Sequence, residues 1–279
     1  MAQVSSKPEK TKTRQEVVIV GASVSAGFAD PTSKGEDGKV NRTYRLDVAF
    51  KKAWPRALAR VANFSDLRMF MAPELYGKNQ LASAKKRKPD LLIGIDLMVW
   101  FGYGSTYGKV KKGEVDAKRI ALQAKGLALL GDFKCPVILG DYPDMHGASS
   151  HMLPQRMIPN VATLAALNKK LREWAKARKN VTVFPLANFV KEAVTKKQTY
   201  PFGEGKVIEF PKNFLLQSDR LHATRVGTLV VVLRLAQALQ SILPAKHPLL
   251  GPKVTFKGLI EAAGLVDDIP EPTRIKTGN

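Results

Sequence analysis

A short buried strand that ends in a serine-bearing turn constrains this chain more than any other feature of its sequence. Residues 17–20 are four consecutive apolar residues rich in β-branched side chains, and Gly21, Ala22 and Ser23 follow them directly. Such a run predicts a strand that is buried on both faces of a parallel sheet. Open α/β sheets bind ligands in the crevice at the carboxyl ends of their strands. We therefore expect Ser23 to lie in a site and not in the core.

A carboxylate and an imidazole stand together near the other end of the chain. Asp219 precedes His222 by three residues, and an apolar helical run begins shortly afterwards, near Val226. An imidazole can take the proton of a serine hydroxyl, and a carboxylate can orient that imidazole. With Ser23, the two residues supply a nucleophile, a base and an orienting group.

These two stretches resemble the SGNH, or GDSL-type, serine hydrolases. In that family the nucleophile follows the first strand in a Gly-Asp-Ser motif, and an Asp-x-x-His motif precedes the last helix. Residues 21–23 correspond to the first motif, and Asp219 with His222 to the second. The family's longer pattern, Asp-x-Leu-His-x-Thr-x-x-Gly, is also matched here, at Leu221, Thr224 and Gly227. The resemblance runs from about residue 17 to residue 239.

The resemblance implies an oxyanion hole, and here the chain departs from the family. A glycine in the loop after the second strand donates its N–H in the family, which makes Gly77 the candidate. The family's Gly-x-Asn-Asp motif reads Gly94-Ile95-Asp96-Leu97 in this chain. An ionised aspartate only accepts hydrogen bonds and repels an oxyanion. We therefore expect Asp96 to fix the Ser23 loop in place of the aspartate missing at position 22, and backbone N–H groups or Asn79 to hold the oxyanion.

Aromatic residues follow two of the predicted strands and are candidates for the wall of a pocket. Trp100 and Tyr103 lie in an aromatic and glycine-rich stretch, and Tyr142 lies in the loop after the fourth strand.

Acyl transfer to a serine requires no cofactor. The nearby histidines and aspartates match no common metal-ligand spacing, so we predict no metal site; these residues are Asp141, Asp144, His146 and His151.

Alternating strands and helices predict an α/β fold, a three-layer, doubly wound, parallel five-stranded sheet. The resemblance adds the flavodoxin-like (SGNH hydrolase) strand order. The predicted strands are residues 17–20, 67–71, 89–96, 136–139 and 181–185. The principal predicted helices are residues 46–61, with a kink at Pro55, then 114–130, 161–177 and 224–243.

Three segments are expected along the chain. They are a flexible basic N-terminal tail over residues 1–15, an SGNH-like hydrolase domain over residues 16–243, and a C-terminal wrapping tail over residues 244–279. A loop over residues 30–43, rich in Pro, Gly, Ser and charges, is expected near the site entrance as a lid or substrate-contact segment.

The net charge favours anionic partners. The 279 residues carry 45 Lys and Arg against 24 Asp and Glu, a formal charge of +21. The basic residues are scattered, with no interleaved aromatics and no nucleic-acid motif, so a nucleic-acid partner is not favoured.

No apolar run is long enough to predict a transmembrane segment. A mature start at Ala2 would indicate a periplasmic or secreted protein, and otherwise a cytoplasmic one, while the oligomeric state stays open.

Two functions follow from these observations. The first is a serine hydrolase that cleaves a carboxylic ester, with an anionic carbohydrate or lipid ester as the favoured substrate. The alternative is a catalytically weak or silent SGNH-fold module that binds an anionic ligand, a reading that Ala22 and Asp96 favour. Loss of one oxyanion donor costs about a hundred- to a thousandfold in rate, which weakens an esterase without abolishing it. The hydrolase ranks first because both catalytic motifs are present.

Overall fold

The computed structural model describes residues 14–29, 43–104 and 113–274. The expected N-terminal tail therefore lies outside the described residues except for its last two positions. The expected lid over residues 30–43 lies outside them except for Thr43.

Five parallel strands form the central sheet, in the order β2-β1-β3-β4-β5. This is the flavodoxin-like order, and the predicted fold class is confirmed. The first strand is an inner strand between β2 and β3, so its carboxyl end lies where the strand order reverses. The strands are β1 Gln15–Ile19, β2 Ala59–Asn63, β3 Leu91–Gly94, β4 Val137–Gly140 and β5 Val181–Phe184.

Helices flank this sheet, and a small antiparallel sheet of three strands stands beside it. The small sheet has the order β6-β7-β8, with β6 Gln198–Pro201, β7 Lys206–Phe210 and β8 Thr273–Arg274. The helices are α1 Ser23–Ala26, α2 Leu46–Ala53, α3 Pro73–Arg87, α4 Leu97–Tyr103, α5 Val115–Leu130, α6 Val161–Lys176, α7 Leu186–Thr195, α8 Arg225–Ile242 and α9 Phe256–Ala263.

The second strand lies earlier in the chain than predicted. The predicted helix over residues 46–61 ends at Ala53, and β2 occupies Ala59–Asn63. Pro55 is the cause, because a proline pushes the residue before it out of the helical region, and Trp54 has φ −123° and ψ 91°. The predicted strand over residues 67–71 is a short 3₁₀ helix, Leu67–Phe70. Since β2 is an edge strand, it needs no continuous apolar run.

The helix α3 also differs from the prediction, which placed Gly77 in a loop after the second strand. Its buried side is narrow and partly polar, and comprises Pro73, Gly77, Gln80, Leu81 and Ala84. Because this buried side mixes apolar and polar residues, the sequence of α3 shows little helical periodicity of hydrophobic residues. The proline at the first helical turn was the available signal, since proline is common there.

The longest helix, α8, is a core helix. By length and hydropathy alone it could span a membrane, but half of it (50%) is buried inside the structure. It packs against α2, α9 and β5. The segment after residue 243 returns to the same helices, where Trp54 donates its indole N–H to the carbonyl of Leu249 at 2.8 Å. The C-terminal segment therefore packs against the sheet domain.

Candidate active site

The turn after β1 presents Ser23 at the predicted edge of the sheet. Ser23 is the first residue of the single-turn helix α1, and its side chain is half-buried. The turn ends at Gly27, whose φ of 74° lies in the left-handed region. A Cβ atom on Gly27 would lie 2.5 Å from the backbone of Tyr44 and Arg45, so only glycine fits there.

Asp96 holds this turn. It follows β3, and only 3% of it is exposed. Its Oδ2 accepts the N–H groups of Val24 at 2.8 Å and Ser25 at 3.2 Å, and its Oδ1 accepts the Ser25 hydroxyl at 2.5 Å. Ala22, the residue before α1, provides no side-chain cap. Asp96 thus satisfies the first N–H groups of α1 from another strand, as a capping carboxylate would do from position 22.

Gly21 and Gln80 pack closely around the contact between Asp96 and α1. A Cβ atom on Gly21 would lie 2.0 Å from Oδ1 of Asp96, so the approach of the carboxylate requires glycine there. The N–H of Gly21 donates to Oε1 of Gln80, a buried residue of α3, at 2.7 Å. Gln80 was not among the predicted site residues.

Burial raises the pKa of Asp96 above the ordinary range of aspartate, although the hydrogen bonds from Ser25 and nearby backbone N–H groups act to lower it. A raised pKa favours the neutral form, which does not repel a developing negative charge nearby. The neutral acid has almost the shape of an asparagine. It can also donate a hydrogen bond to the hydroxyl of Ser25.

Asp219 and His222 form a buried pair in a tight turn. The Nδ1 atom of His222 lies 2.6 Å from Oδ2 of Asp219, and each residue is 4% exposed. The other carboxylate oxygen accepts the N–H groups of Leu221 at 2.9 Å and His222 at 3.0 Å. Burial acts to raise the pKa of Asp219, but the hydrogen bonds from His222 and the backbone hold it below its ordinary value. The ionised carboxylate therefore orients the imidazole and can stabilise its protonated form.

Phe28 connects this turn to the Ser23 turn. Its ring packs on the imidazole of His222 with the centroids 4.5 Å apart. Its N–H donates to the carbonyl of Ser23 at 2.9 Å, and its carbonyl accepts the amide of Gln217 at 2.8 Å. No hydrogen bond joins the side chains of Ser23 and His222, both of which are described residues. Such bonds are often long before substrate binds.

Ser23 also lines a narrow apolar pocket with a volume of about 30 Å³. Trp100 forms part of its wall, as predicted. The neighbouring Ser25 is 0% exposed and donates its hydroxyl to Asp96, so it has no access to this pocket. The other lining residues are Val24, Asp96, Val99, Met145, Leu186, Phe189, Val190, Leu216, Leu221 and Ala223.

The other two predicted pocket residues do not line this pocket, and both are buried. Tyr142 borders a separate cavity of about 520 Å³. Tyr103 is buried and donates its hydroxyl to the carbonyl of Pro143. Tyr142 is buried against α4, where a Cβ atom on Gly102 would lie 2.4 Å from its ring. Burial raises the pKa of both hydroxyls.

Of the two predicted oxyanion donors, both of which lie on α3, Gly77 is wrong. Gly77 lies inside the helix, where its N–H donates to the carbonyl four residues earlier. Its small size serves packing instead, since a Cβ atom there would lie 2.7 Å from the ring of Phe101. Asn79 is exposed on the same helix. The N–H of Ser23 itself has no acceptor among the described residues.

Comparison with known proteins identifies the fold. No known family profile matches the sequence, and no curated protein matches it. Among solved structures, a protein from Parabacteroides merdae described as a GDSL-like lipase superposes with a TM-score of 0.50 at 13% identity, covering 83% of this chain and 98% of that one. The chain has an SGNH-type hydrolase fold.

Two further solved structures resemble the chain. A gut microbial diltiazem-metabolizing enzyme gives a TM-score of 0.50 at 13% identity, covering 84% of this chain and 48% of that one. TesA gives a TM-score of 0.49 at 16% identity, covering 82% of this chain and 100% of that one. At identities of 13% and 16%, these two likenesses say nothing about the chemistry of the site.

The histidines and aspartates of the loop after β4 form no metal site within the described ranges 14–29, 43–104 and 113–274. No group of three or more His, Cys, Asp and Glu residues there could hold a metal ion. Asp144 and His146 instead form an exposed pair, with Oδ1 and Nδ1 2.6 Å apart. Asp141 accepts hydrogen bonds from Arg172 at 2.8 Å and from the N–H of Ala187 at 2.7 Å.

Proposed function

We propose that this protein is a serine hydrolase that cleaves a carboxylic ester by acyl transfer to Ser23. The buried Asp219–His222 pair carries the proposal, because its 2.6 Å hydrogen bond orients an imidazole beside the turn that presents Ser23. The SGNH fold supports it, since the similar solved structures include a GDSL-like lipase.

The reaction proceeds in two steps. His222 takes the hydroxyl proton of Ser23 as the oxygen attacks the ester carbonyl, and returns that proton to the departing alcohol. Water then attacks the acyl-enzyme by the same route and releases the acid. Asp219 stabilises the imidazolium in both steps, and the N–H of Ser23 donates to the oxyanion. The chemistry is complete without a cofactor.

The charge of the protein bears on the substrate. With a net charge of +21, the surface attracts anionic esters, and an anionic carbohydrate or lipid ester fits this field best. Arg220 stands next to Asp219, is exposed, and pairs with no carboxylate among the described residues. It is the cation best placed to meet an anionic group near His222.

One observation favours the alternative, a catalytically weak or silent module that binds an anionic ligand. Asp96 occupies the place of the family's asparagine and directs both of its oxygens at α1. No amide donor takes that place, so the N–H of Ser23 would work without a side-chain partner.

Hydrolysis of a neutral aryl ester at low and at high salt separates the two functions. Salt screens surface attraction but has little effect on a buried pair. The hydrolase predicts that turnover persists at high salt and is lost in His222→Ala. Full activity in His222→Ala, or no turnover by the native chain, would favour the binding module.

A further inference from the structure

The pocket beside Ser23 is enclosed by apolar side chains from three directions. Val24 comes from α1, Val99 and Trp100 come from α4, and Leu186 and Phe189 come from α7. Asp96 is the acidic residue in its lining, and both of its carboxyl oxygens form hydrogen bonds with α1. The pocket therefore offers an apolar environment next to the hydroxyl of Ser23.

The size of the pocket limits what it can hold. About 10–15 Å³ of such volume is enough for one water-sized group. The pocket has about 30 Å³, which is room for about two such groups. Protein interiors resist overfilling, because each added methylene forces side chains from their preferred positions.

We propose that this pocket receives the acyl part of the ester and restricts it to two or three carbons, with Trp100 as the residue that sets the limit. The inference rests on the proposed hydrolase function. An acyl group bound to Ser23 must extend from its Oγ atom, and among the described residues this pocket is the apolar space that Ser23 lines. Trp100 has the largest side chain in the wall. It is only half-buried and packs on Phe70 with the ring centroids 5.9 Å apart, so it can be shortened without opening the central core.

The test is a series of 4-nitrophenyl acetate, butyrate and octanoate with the full chain. For the native protein we expect kcat/KM to fall at least about tenfold from acetate to butyrate, and further for octanoate. Trp100→Leu should raise the butyrate-to-acetate ratio by about fifteenfold, because each of two newly buried methylenes is worth about fourfold.

Trp174→Leu is the matched control. Trp174 is also half-buried and is stacked by Arg178 at 4.1 Å, but it lies on α6 outside the pocket. Its substitution should leave the ratio unchanged. A ratio of two kcat/KM values does not depend on the folded fraction, so a destabilised variant still gives a valid answer. If Trp100→Leu fails to fold, Trp100→Phe replaces it in the test. Trp100→Phe should raise the butyrate-to-acetate ratio by a smaller factor.

Equal rates on acetate and octanoate in the native protein would overturn the inference. So would a ratio in both Trp100 variants no higher than that in Trp174→Leu. Failure of the proposed function has a different signature. In that case no ester in the series is hydrolysed, or hydrolysis is undiminished in Ser23→Ala. Either result would refute the proposed function and the acyl pocket together.

Discussion

Asp96→Asn and Asp96→Ala should have very different effects on activity. The carboxylate accepts three hydrogen bonds, from the N–H groups of Val24 and Ser25 and from the hydroxyl of Ser25. Alanine leaves three buried donors without a partner. Each costs about 1–3 kcal/mol, and partial relaxation leaves a loss of about 3–5 kcal/mol in the free energy of unfolding. The Ser23 turn then loses its anchor, and activity should fall with stability.

Asparagine retains most of these contacts. Its carbonyl oxygen can accept the two N–H groups, and its amide can donate to the hydroxyl of Ser25, as the neutral acid would. Because burial raises the pKa of Asp96, asparagine resembles the form that the site favours. We expect kcat on a neutral ester to be maintained or raised.

The assay combines kcat/KM per folded molecule with thermal unfolding of each variant. Asp90→Ala is the control, because Asp90 is half-buried and accepts the N–H of Glu16 at 2.8 Å, at the opposite end of β1 from α1. It should lose stability but keep its activity per folded molecule. If Asp96→Asn is folded yet as inactive as Asp96→Ala, the charge itself is required, and the anchoring role is refuted.

Three further predictions concern the role of Asp219 in catalysis, the pH dependence of its contribution to stability, and the recognition of the substrate by Arg220. Asp219→Asn should lower kcat by about 10³–10⁴-fold with the fold intact, because the imidazole loses the group that sets its tautomer, and near-native activity would contradict this. Since the folded-state pKa of Asp219 lies below its unfolded value, its stabilising effect is present above about pH 4 and is lost as the pH falls through the folded value. Denaturant unfolding should therefore show the native chain and Asp219→Asn converging in stability in acid, and a constant difference would contradict this. Arg220→Gln should raise KM for an anionic aryl ester several-fold and leave a neutral one unchanged, with Lys212→Gln as the control, and an equal effect on both esters would contradict a role in charge recognition.

The sheet and the catalytic motifs could be predicted because their signals are local. Buried parallel strands read as continuous apolar runs, which identified β1, β3 and β4. The edge strand β5 is only partly buried, and Val181, Val183 and Phe184 marked it in the sequence. The turn containing Asp219 and His222 is built by contacts within a few residues, so its pattern survives in the sequence. The edge strand β2 escaped prediction because it is only partly buried and follows a helix without a clear break except Pro55.

The details of the site depend on contacts across the chain. Gly77 was assigned as the family's loop glycine, and the assignment failed because α3 begins at Pro73 and includes the N–H of Gly77 in its helical hydrogen bonds. The contact of Gln80 with Gly21 joins residues 59 positions apart, and no local pattern reveals it. Tyr103 and Tyr142 look like pocket residues from composition alone. Only the packing of α4 against the loop after β4 shows that they belong to the core.

Covalent labelling with a fluorophosphonate, followed by mass-spectrometric mapping, tests the central claim most directly. The probe reacts with a serine that a neighbouring base has activated, so it reports nucleophile and base together. We predict a single adduct on Ser23 in the native chain and none in His222→Ala. An adduct on Ser25 or another serine, with Ser23 unmodified, would contradict the assignment of the nucleophile.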